Sequence, residues 1–463
     1  MVRSTGYLAF LLVSTACVSA GGPSAPAAAT PVPRDQCVLT SGSSLRDTSV
    51  IALAETPDPS HAPVSRSASE RLVFRHLYET LIRVDCVGAV SSGLADAWHA
   101  SDDGLTWTFR IRAGATFWDG TPVTADAVRR SWLVNESERA APWADSLASS
   151  VAVGGERELV VKLGRPHADV PLVFADPTLA VARDDDAPTG WPTGTGTYQV
   201  VLSAGDEAVA APLGTVEGDD LPVLRFVTSR GDPRDLIDAG ADLLVSRDPL
   251  VVQYATSMDD VEVLPLPWDL VYVAAAPLRT THAVAVDTLH LSAVVAGAAQ
   301  VDARSPKSPP WWDDLGVCRL QSSFSAPIDP GRVAGRVVYQ SDDAIGRALT
   351  ERLVALASVR ALPELTDMPE RLIATRVGDA VFASALAAGR ELAYVLPLSR
   401  EVLDPCAMIA GLRSRMPWAA PVDLRWVLVP LVETRSQAIV RRGIGTVRID
   451  WDGTPYLAAV QER

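Results

Sequence analysis

The chain lacks the features that several large classes of protein require. It has no Lys/Arg cluster, and its formal net charge of −15 at pH 7 would repel nucleic acid and acidic lipid headgroups. Its six His residues lie far apart, and no Cys-x-x-Cys pair accompanies them, which argues against a metal site. It has neither a GxSxG hydrolase elbow nor a GxxxxGK[ST] phosphate loop. We therefore expect no catalysis, no cofactor, no metal and no nucleic-acid partner.

A long apolar run is also missing at the N-terminus. The apolar stretch 7–13 is too short to span the roughly 30 Å hydrocarbon core of a bilayer, so it predicts an export signal. The small residues before Cys17 resemble a lipobox, which would make 1–17 the signal peptide and Cys17 a lipidated N-terminus. Plain cleavage near Ala20 is the alternative. Residues 18–36 are rich in Ala, Pro, Gly and Ser and predict a flexible tether.

If Cys17 carries lipid, four cysteines remain in a chain with an oxidising destination. These are Cys37, Cys86, Cys318 and Cys406. Their order suggests that Cys37 pairs with Cys86 and Cys318 with Cys406, although four cysteines permit three pairings. Free buried thiols are the alternative.

The stretch 94–128 carries the clearest structural pattern in the chain. Apolar and polar residues alternate from 105 to 111, as in a strand with one buried face. The turn residues 102–104 precede this strand and predict a hairpin. A second reversal follows at 117–122, and Thr124 can cap the helix after it. The apolar positions of the strand are Leu105, Trp107, Phe109 and Ile111.

Short motifs follow one another in a fixed order through this part of the chain. They are Leu77-Tyr78-Glu79-Thr80-Leu81, Gly93-Leu94-Ala95, Trp98, Asp102-Asp103-Gly104-Leu105-Thr106-Trp107-Thr108-Phe109, Asp119-Gly120-Thr121-Pro122 and Thr124-Ala125-Asp126-Ala127-Val128. Their order resembles that of the family 5 extracellular solute-binding proteins, the binding components of peptide, nickel and oligosaccharide ABC importers. The resemblance implies an α/β, two-lobed periplasmic-binding-protein-like fold (type II, cluster C) with mixed sheets flanked by helices.

The length of 463 residues exceeds what one hydrophobic core usually serves, so two or more domains are expected. By the resemblance, 37–272 is lobe I with an extra subdomain, 273–404 is lobe II, and 405–463 returns to lobe I. The apolar, β-branched stretch 261–275 predicts one buried strand that crosses between the lobes. The stretch 426–432 is expected to be a strand back in the first lobe.

Five residues are candidates for contacts with a ligand. In the resembling family the loop after the first strand borders the cleft, which suggests Asp58. Trp118 and Trp268 are candidates for cleft walls. Peptide binders of the family carry an acidic residue for the peptide ammonium just before an acid-Pro pair, which suggests Glu401 and Asp404. A solvated loop for Asp58 and a surface ion pair for Glu401 are the alternatives.

The resemblance implies a monomeric binding protein of an ABC transporter. It would capture a small solute, by default a peptide, between its lobes and deliver it to a membrane permease. It would be exported and held at the membrane by a lipid anchor, in the periplasm or at the cell surface. The alternative is an orphan lipoprotein of this fold that senses a ligand or binds a partner. Two differences from the family favour this alternative. Most members carry an Asn in the stretch that corresponds to 274–276, where this chain has three alanines, and residues 281–299 lack the charged signature that most members have.

Overall fold

The structure is a computed structural model. It describes residues 37–42, 44–134, 147–164, 170–183, 189–213, 221–229, 231–278, 302–304, 318–319, 334–358, 372–389, 391–399 and 425–458. The predicted signal peptide and tether lie outside the described residues, as do Cys17, Glu401, Asp404 and Cys406.

The first sheet is mixed, with both parallel and antiparallel strands. Its central strand, Thr48–Leu53, pairs in parallel with a neighbour on each side, and the other pairings are antiparallel. Ile51 and Leu53 enter one apolar core and Ala52 the other, as expected for a strand covered on both faces. The strands, in spatial order, are Tyr198–Ala204, Glu207–Pro212, Val223–Thr228, Thr48–Leu53, Leu243–Ser246, Gln437–Arg441 and Val261–Pro265.

Helices cover both faces of this sheet. Helix Ala68–Leu77 begins where the Ser67 hydroxyl accepts a hydrogen bond from Glu70 N–H, and its apolar residues pack in the core that contains Ile51. Helices Pro233–Asp238 and Pro249–Thr256 lie on the opposite face, in the core that contains Ala52. Both begin with Pro after an Asp cap, which satisfies the free N–H groups of the first turn.

The stretch 94–128 folds as its pattern predicts. Strands Ala95–Ala100 and Thr106–Ile111 form the expected hairpin, and Phe109 and Ile111 are fully buried. Strands Glu158–Lys162 and Val151–Gly155 extend the hairpin into a four-stranded antiparallel sheet. The Thr124 hydroxyl accepts from Ala127 N–H at 3.1 Å and starts helix Ala125–Leu133. The hairpin and the capped helix are thus confirmed.

The second sheet contains the longest strands among the described residues. Its longest strand, Arg425–Thr434, pairs antiparallel with Leu270–Leu278. Helices Ala344–Ser358 and Asp379–Ala388 pack against it. The strands, in spatial order, are Ala303–Arg304, Arg425–Thr434, Leu270–Leu278, Glu391–Ser399, Ala334–Gln340 and Ile373–Val377, with Cys318–Arg319 also pairing to Arg425–Thr434.

Two predictions about the passage between the sheets are wrong. The stretch 261–275 is two strands, because Pro265 and Pro267 cannot donate to a ladder and the chain changes sheet at 266–269. The strand containing 426–432 pairs within the second sheet, and the chain returns to the first sheet only at 435–436. These crossing points differ from the lobe divisions after 272 and after 404.

Small elements complete the described part. The disulfide Cys37–Cys86, with Cα atoms 5.5 Å apart, ties the first strand to a turn in the first lobe, and the side chain of Cys318 lies outside the described residues. No described helix has the length and apolarity needed to cross a membrane. The remaining elements are strands Val38–Thr40, Val447–Ile449, Pro455–Leu457, Ile82–Val84, Val90–Ser92, Ala182–Arg183 and Thr193–Gly194, helices Leu147–Ser150 and Val170–Phe174, and 3₁₀ turns Pro59–His61 and Pro177–Leu179.

Candidate functional site at the junction of the two sheets

The two passages between the sheets lie side by side. Segment 266–269 leads from the first sheet to the second, and segment 435–436 leads back. The Leu266 N–H donates to the Ser436 carbonyl at 3.0 Å, which joins the two crossings directly. Ligand sites occur preferentially between such bodies, which can close by bending at the connections. The junction is therefore the part of the described structure that a ligand cleft would border.

Trp268 lies in the first crossing, and two guanidinium groups contact its ring. The Cζ of Arg304 is 4.3 Å from the ring centroid, and that of Arg435 is 4.5 Å away. Arg304 Nε donates to Glu433 at 2.5 Å, and Arg435 Nε donates to Asp302 at 2.5 Å. The indole that the sequence suggested as a cleft wall is thus engaged by charged groups of the junction.

Asp269, the next residue, pairs with the first sheet. Arg247 follows strand Leu243–Ser246, and its Nη2 donates to both carboxylate oxygens of Asp269, at 2.7 and 2.6 Å. The Nε of Arg247 is buried and has no hydrogen-bond partner among the described residues. This ion pair links the C-terminal end of the crossing 266–269 to the first sheet.

The charge of Arg247 also acts on a tyrosine of the second sheet. Tyr272 is buried, and its hydroxyl donates to Asp343 at 2.9 Å. Burial raises the pKa of the Tyr272 phenol, the Asp343 carboxylate raises it further, and the positive charge of Arg247 acts in the opposite direction. Arg247 of the first sheet is thus electrostatically coupled to Tyr272 of the second.

A cavity of about 40 Å³ lies beside the junction in the first lobe. It holds roughly one water molecule, well below the roughly 300–1,000 Å³ of a ligand pocket. Arg75, in its wall, forms an ion pair with Asp450 and lies 4.0 Å over the ring of Tyr456. A methyl group on Gly453 would lie 3.5 Å from the Cβ of Asp269, so the turn beside this cavity reaches the crossing. The charged wall residues are Arg71, Arg75, Asp450 and Asp452.

Asp58 serves the turn in which it lies. Its Oδ1 accepts from Ser60 N–H at 2.9 Å and starts the 3₁₀ turn Pro59–His61. Hydrogen bonds from Ser60 hold the pKa of this carboxyl below its usual value. The side chain is 51% exposed, which fits the alternative of a solvated loop.

Trp118 packs inside the first lobe. Its ring stacks on Tyr78 with centroids 5.9 Å apart, and its backbone N–H donates to the Gly194 carbonyl at 3.0 Å. A Cβ on Gly194 would lie 2.5 Å from this ring, so the Gly-rich stretch 193–197 provides the space that the indole occupies. The side-chain Nε1 is buried without a hydrogen-bond partner among the described residues.

Sequence reasoning missed most of the charged residues at the junction. Arg247 stands at the carboxyl end of a parallel strand, the edge where α/β proteins bind ligands, and that position could have indicated it. Asp302, Arg304, Glu433 and Arg435 carry no such local signal, because they meet only through pairing of distant strands. Of the residues that the sequence suggested, the structure brings Trp268 to this junction and places Asp58 and Trp118 elsewhere in the first lobe.

Part of the sequence matches known proteins. Residues 89–210 match the family model described as "Bacterial extracellular solute-binding proteins, family 5 Middle". The chain is 36% identical over 92 residues to the probable D,D-dipeptide-binding periplasmic protein DdpA of Escherichia coli, and 32% identical over 121 residues to the periplasmic oligopeptide-binding protein OppA of that organism. Over these residues the chain is similar to family 5 of the extracellular solute-binding proteins. These matches span 18% and 22% of the two relatives' lengths, and 19% and 26% of this chain.

Solved structures of family 5 proteins share the fold over most of the chain. NikA from Brucella suis, in complex with Fe(III)-EDTA, aligns with a TM-score of 0.60 at 15% identity and covers 88% of this chain and 98% of its own. Haemophilus influenzae OppA, in complex with the peptide RPPGFSPFR, aligns with a TM-score of 0.53 at 12% identity, over 91% and 100%. The predicted α/β fold of a two-lobed periplasmic binding protein is confirmed.

Proposed function

We propose that the chain is the extracytoplasmic solute-binding protein of an ABC transporter. The observation that supports this most directly is the pair of adjacent crossings between two separate sheets, at 266–269 and 435–436. Two bodies linked by such adjacent connections can close on a solute by hinge bending. Closure would bury the solute and present it to a membrane permease.

A peptide is the ligand class that we propose. Two solved structures that share the fold hold peptides, Haemophilus influenzae OppA and the DppA of Helicobacter pylori. An extended peptide can be held through its main chain while its side chains enter permissive pockets. Asp58, Trp118 and Asp404 remain our proposed contacts, and we assign the ligand ammonium to Glu401. The proposed action is binding without catalysis.

We also propose where the protein works and how it is divided. Export is supported by periplasmic relatives. Lipid on Cys17, with 18–36 as a tether, would hold the monomer near its permease. The two lobes would divide at the crossings 266–269 and 435–436, which replace the divisions after 272 and after 404 that the resemblance implied.

One observation favours the alternative, an orphan sensor or partner-binding lipoprotein. In strand Leu270–Leu278 the positions where most relatives carry an Asn are Ala274, Ala275 and Ala276. Ala275 is fully buried, and alanine offers a ligand no side-chain hydrogen bond. A ligand site in this lobe would then lack one of its usual polar anchors.

Native mass spectrometry of the purified chain, searching for a co-purified ligand, separates these functions. A bound peptide supports the proposal, whereas a sugar or a metal chelate would redirect it, and an empty protein that also takes up no added peptide supports the orphan alternative. For a bound peptide, Glu401→Gln should weaken affinity about 10- to 100-fold, because a charged hydrogen bond contributes about 1.5–3 kcal/mol. Glu262→Gln, on the first sheet with its side chain 47% exposed, is the matched control and should bind as the wild type does.

A further inference from the structure

The contacts around Trp268 connect both crossings to both sheets. Trp is the strongest aromatic partner for a cation, and here two guanidinium groups lie within 4.5 Å of one indole. Each cation is in turn held by a carboxylate. Glu433, the partner of Arg304, is fully buried, so Arg304 is fixed in place more firmly than an exposed ion pair would allow.

Asp302 extends these contacts to the first sheet. Its Oδ2 accepts from Arg435 in the second crossing and from the Gln437 side-chain amide at 3.1 Å. Gln437 is the first residue of a first-sheet strand, whereas Asp302 precedes the edge strand of the second sheet. Asp302 therefore bridges the two sheets next to the residue that contacts Trp268.

Asp269, the residue after Trp268, provides a further contact with the first sheet. Its bidentate contact with Arg247 binds the first crossing to the first sheet. Any rotation of one sheet against the other must change some of these contacts, since they connect both crossings to both sheets. We call this set the junction network, and its members are Arg247, Trp268, Asp269, Asp302, Arg304, Glu433, Arg435 and Gln437.

We propose that Trp268 is a positioning residue that couples the two crossings, so that the lobes swing about one hinge whose resting angle it sets with Arg304 and Arg435. It does so without contacting the ligand. This inference rests on the proposed function only in that lobe closure serves solute capture. In this proposal Trp268 lies at the hinge between the lobes and does not form a wall of the ligand cleft, the position that the sequence suggested.

The test measures the distance between the lobes in the full, ligand-free chain. Spin-labelled non-natural amino acids replace Val153 of the first lobe and Val381 of the second, whose side chains are 43% and 59% exposed. Pulsed electron paramagnetic resonance then gives the distribution of distances between the two labels. Trp268→Leu should lower the population of molecules at the wild-type label distance, relative to all other distances, about tenfold. Trp268→Tyr, which retains part of the cation contact, should lie between Trp268→Leu and the wild type.

Two further variants separate hinge positioning from plain packing. Trp107→Leu also removes a half-buried indole, one that stacks on Phe109 in the four-stranded sheet, and it should leave the distances as in the wild type. Arg435→Gln keeps the indole and removes one cation, so it should move the distances in the direction of Trp268→Leu even if the latter folds poorly. Distributions for Trp268→Leu and Arg435→Gln that superimpose on the wild type would overturn the inference.

A binding measurement on the wild type keeps this result independent of the transport role. Tetra-alanine is the probe, measured by calorimetry and by native mass spectrometry. A wild type that binds no tetra-alanine and carries no co-purified peptide, while Trp268→Leu changes the distances, retains the hinge and contradicts peptide capture. A wild type that binds peptide while neither variant changes the distances retains peptide capture and refutes the hinge.

Discussion

Acidification should destabilise the first lobe through His76. This residue is 4% exposed and lies in helix Ala68–Leu77. Its Nε2 accepts from the Leu457 N–H at 3.1 Å, so its Nδ1 carries the proton and donates to the Leu72 carbonyl at 2.8 Å. The ring is therefore neutral, and it joins the helix to the C-terminal strand Pro455–Leu457. Burial lowers the pKa of His76 from 6.5 to about 4.

The size and sign of the effect follow from that pKa. Between pH 6.5 and about 4 the unfolded chain binds a proton at His76 that the folded chain does not, so stability falls as the pH falls through this window. Over the whole window, the difference between 6.5 and about 4 corresponds to about 3 kcal/mol. Burial raises the pKa of Asp450 and of Asp242, and these groups act in the opposite direction, so only a difference between variants isolates His76.

Urea unfolding at several pH values, on the wild type and on His76→Gln, measures this difference. His76→Gln should be less stable at neutral pH, but its free energy of unfolding should fall less between about pH 7 and about pH 4.5, by about 2 kcal/mol. His99→Gln removes an exposed histidine and should retain the wild-type pH dependence. Parallel pH profiles for the wild type and His76→Gln, or an NMR titration of His76 centred near 6.5, would refute the reasoning.

Two further predictions concern the stability of the first lobe. Replacing Cys37 and Cys86 by Ser opens a loop with a sequence separation of 49 and should lower the free energy of unfolding by about 4 kcal/mol, measured by urea melts; an unchanged midpoint would contradict this. Gly194→Ala places a Cβ against the Leu77 carbonyl and the Trp118 ring and should cost about 1–3 kcal/mol. Gly231→Ala, with its nearest atoms at 3.8 Å, is the control and should melt as the wild type does.

Local patterns predicted local structure well. The alternation around Phe109, the turn at 102–104 and the cap at Thr124 each act within a few residues, and the structure contains the hairpin and the helix that they predict. Burial of Phe109 and Ile111 follows from the same period of two. These motifs also carried the family resemblance, so the fold class came with them.

The passages between the sheets could not be predicted in the same way. Strands Val261–Pro265 and Leu270–Leu278 are both apolar, and so is Arg425–Thr434, and such runs do not indicate which sheet will include them. Sheet membership is decided by pairing between distant parts of the chain, such as Ala275 with Leu428. Two prolines, at 265 and 267, were the local signal for the break.

The charges of the junction network show where ligand selectivity must arise. Arg247 is neutralised by Asp269, Arg304 by Glu433, and Arg435 by Asp302. Three cations and three carboxylates thus pair within the network, and paired charges offer little net attraction to a charged solute. The network can set the angle between the lobes, but it gives no preference for an anionic or a cationic ligand. If the ligand is a peptide, recognition of its ammonium therefore depends on a carboxylate outside the network, the role that we assign to Glu401.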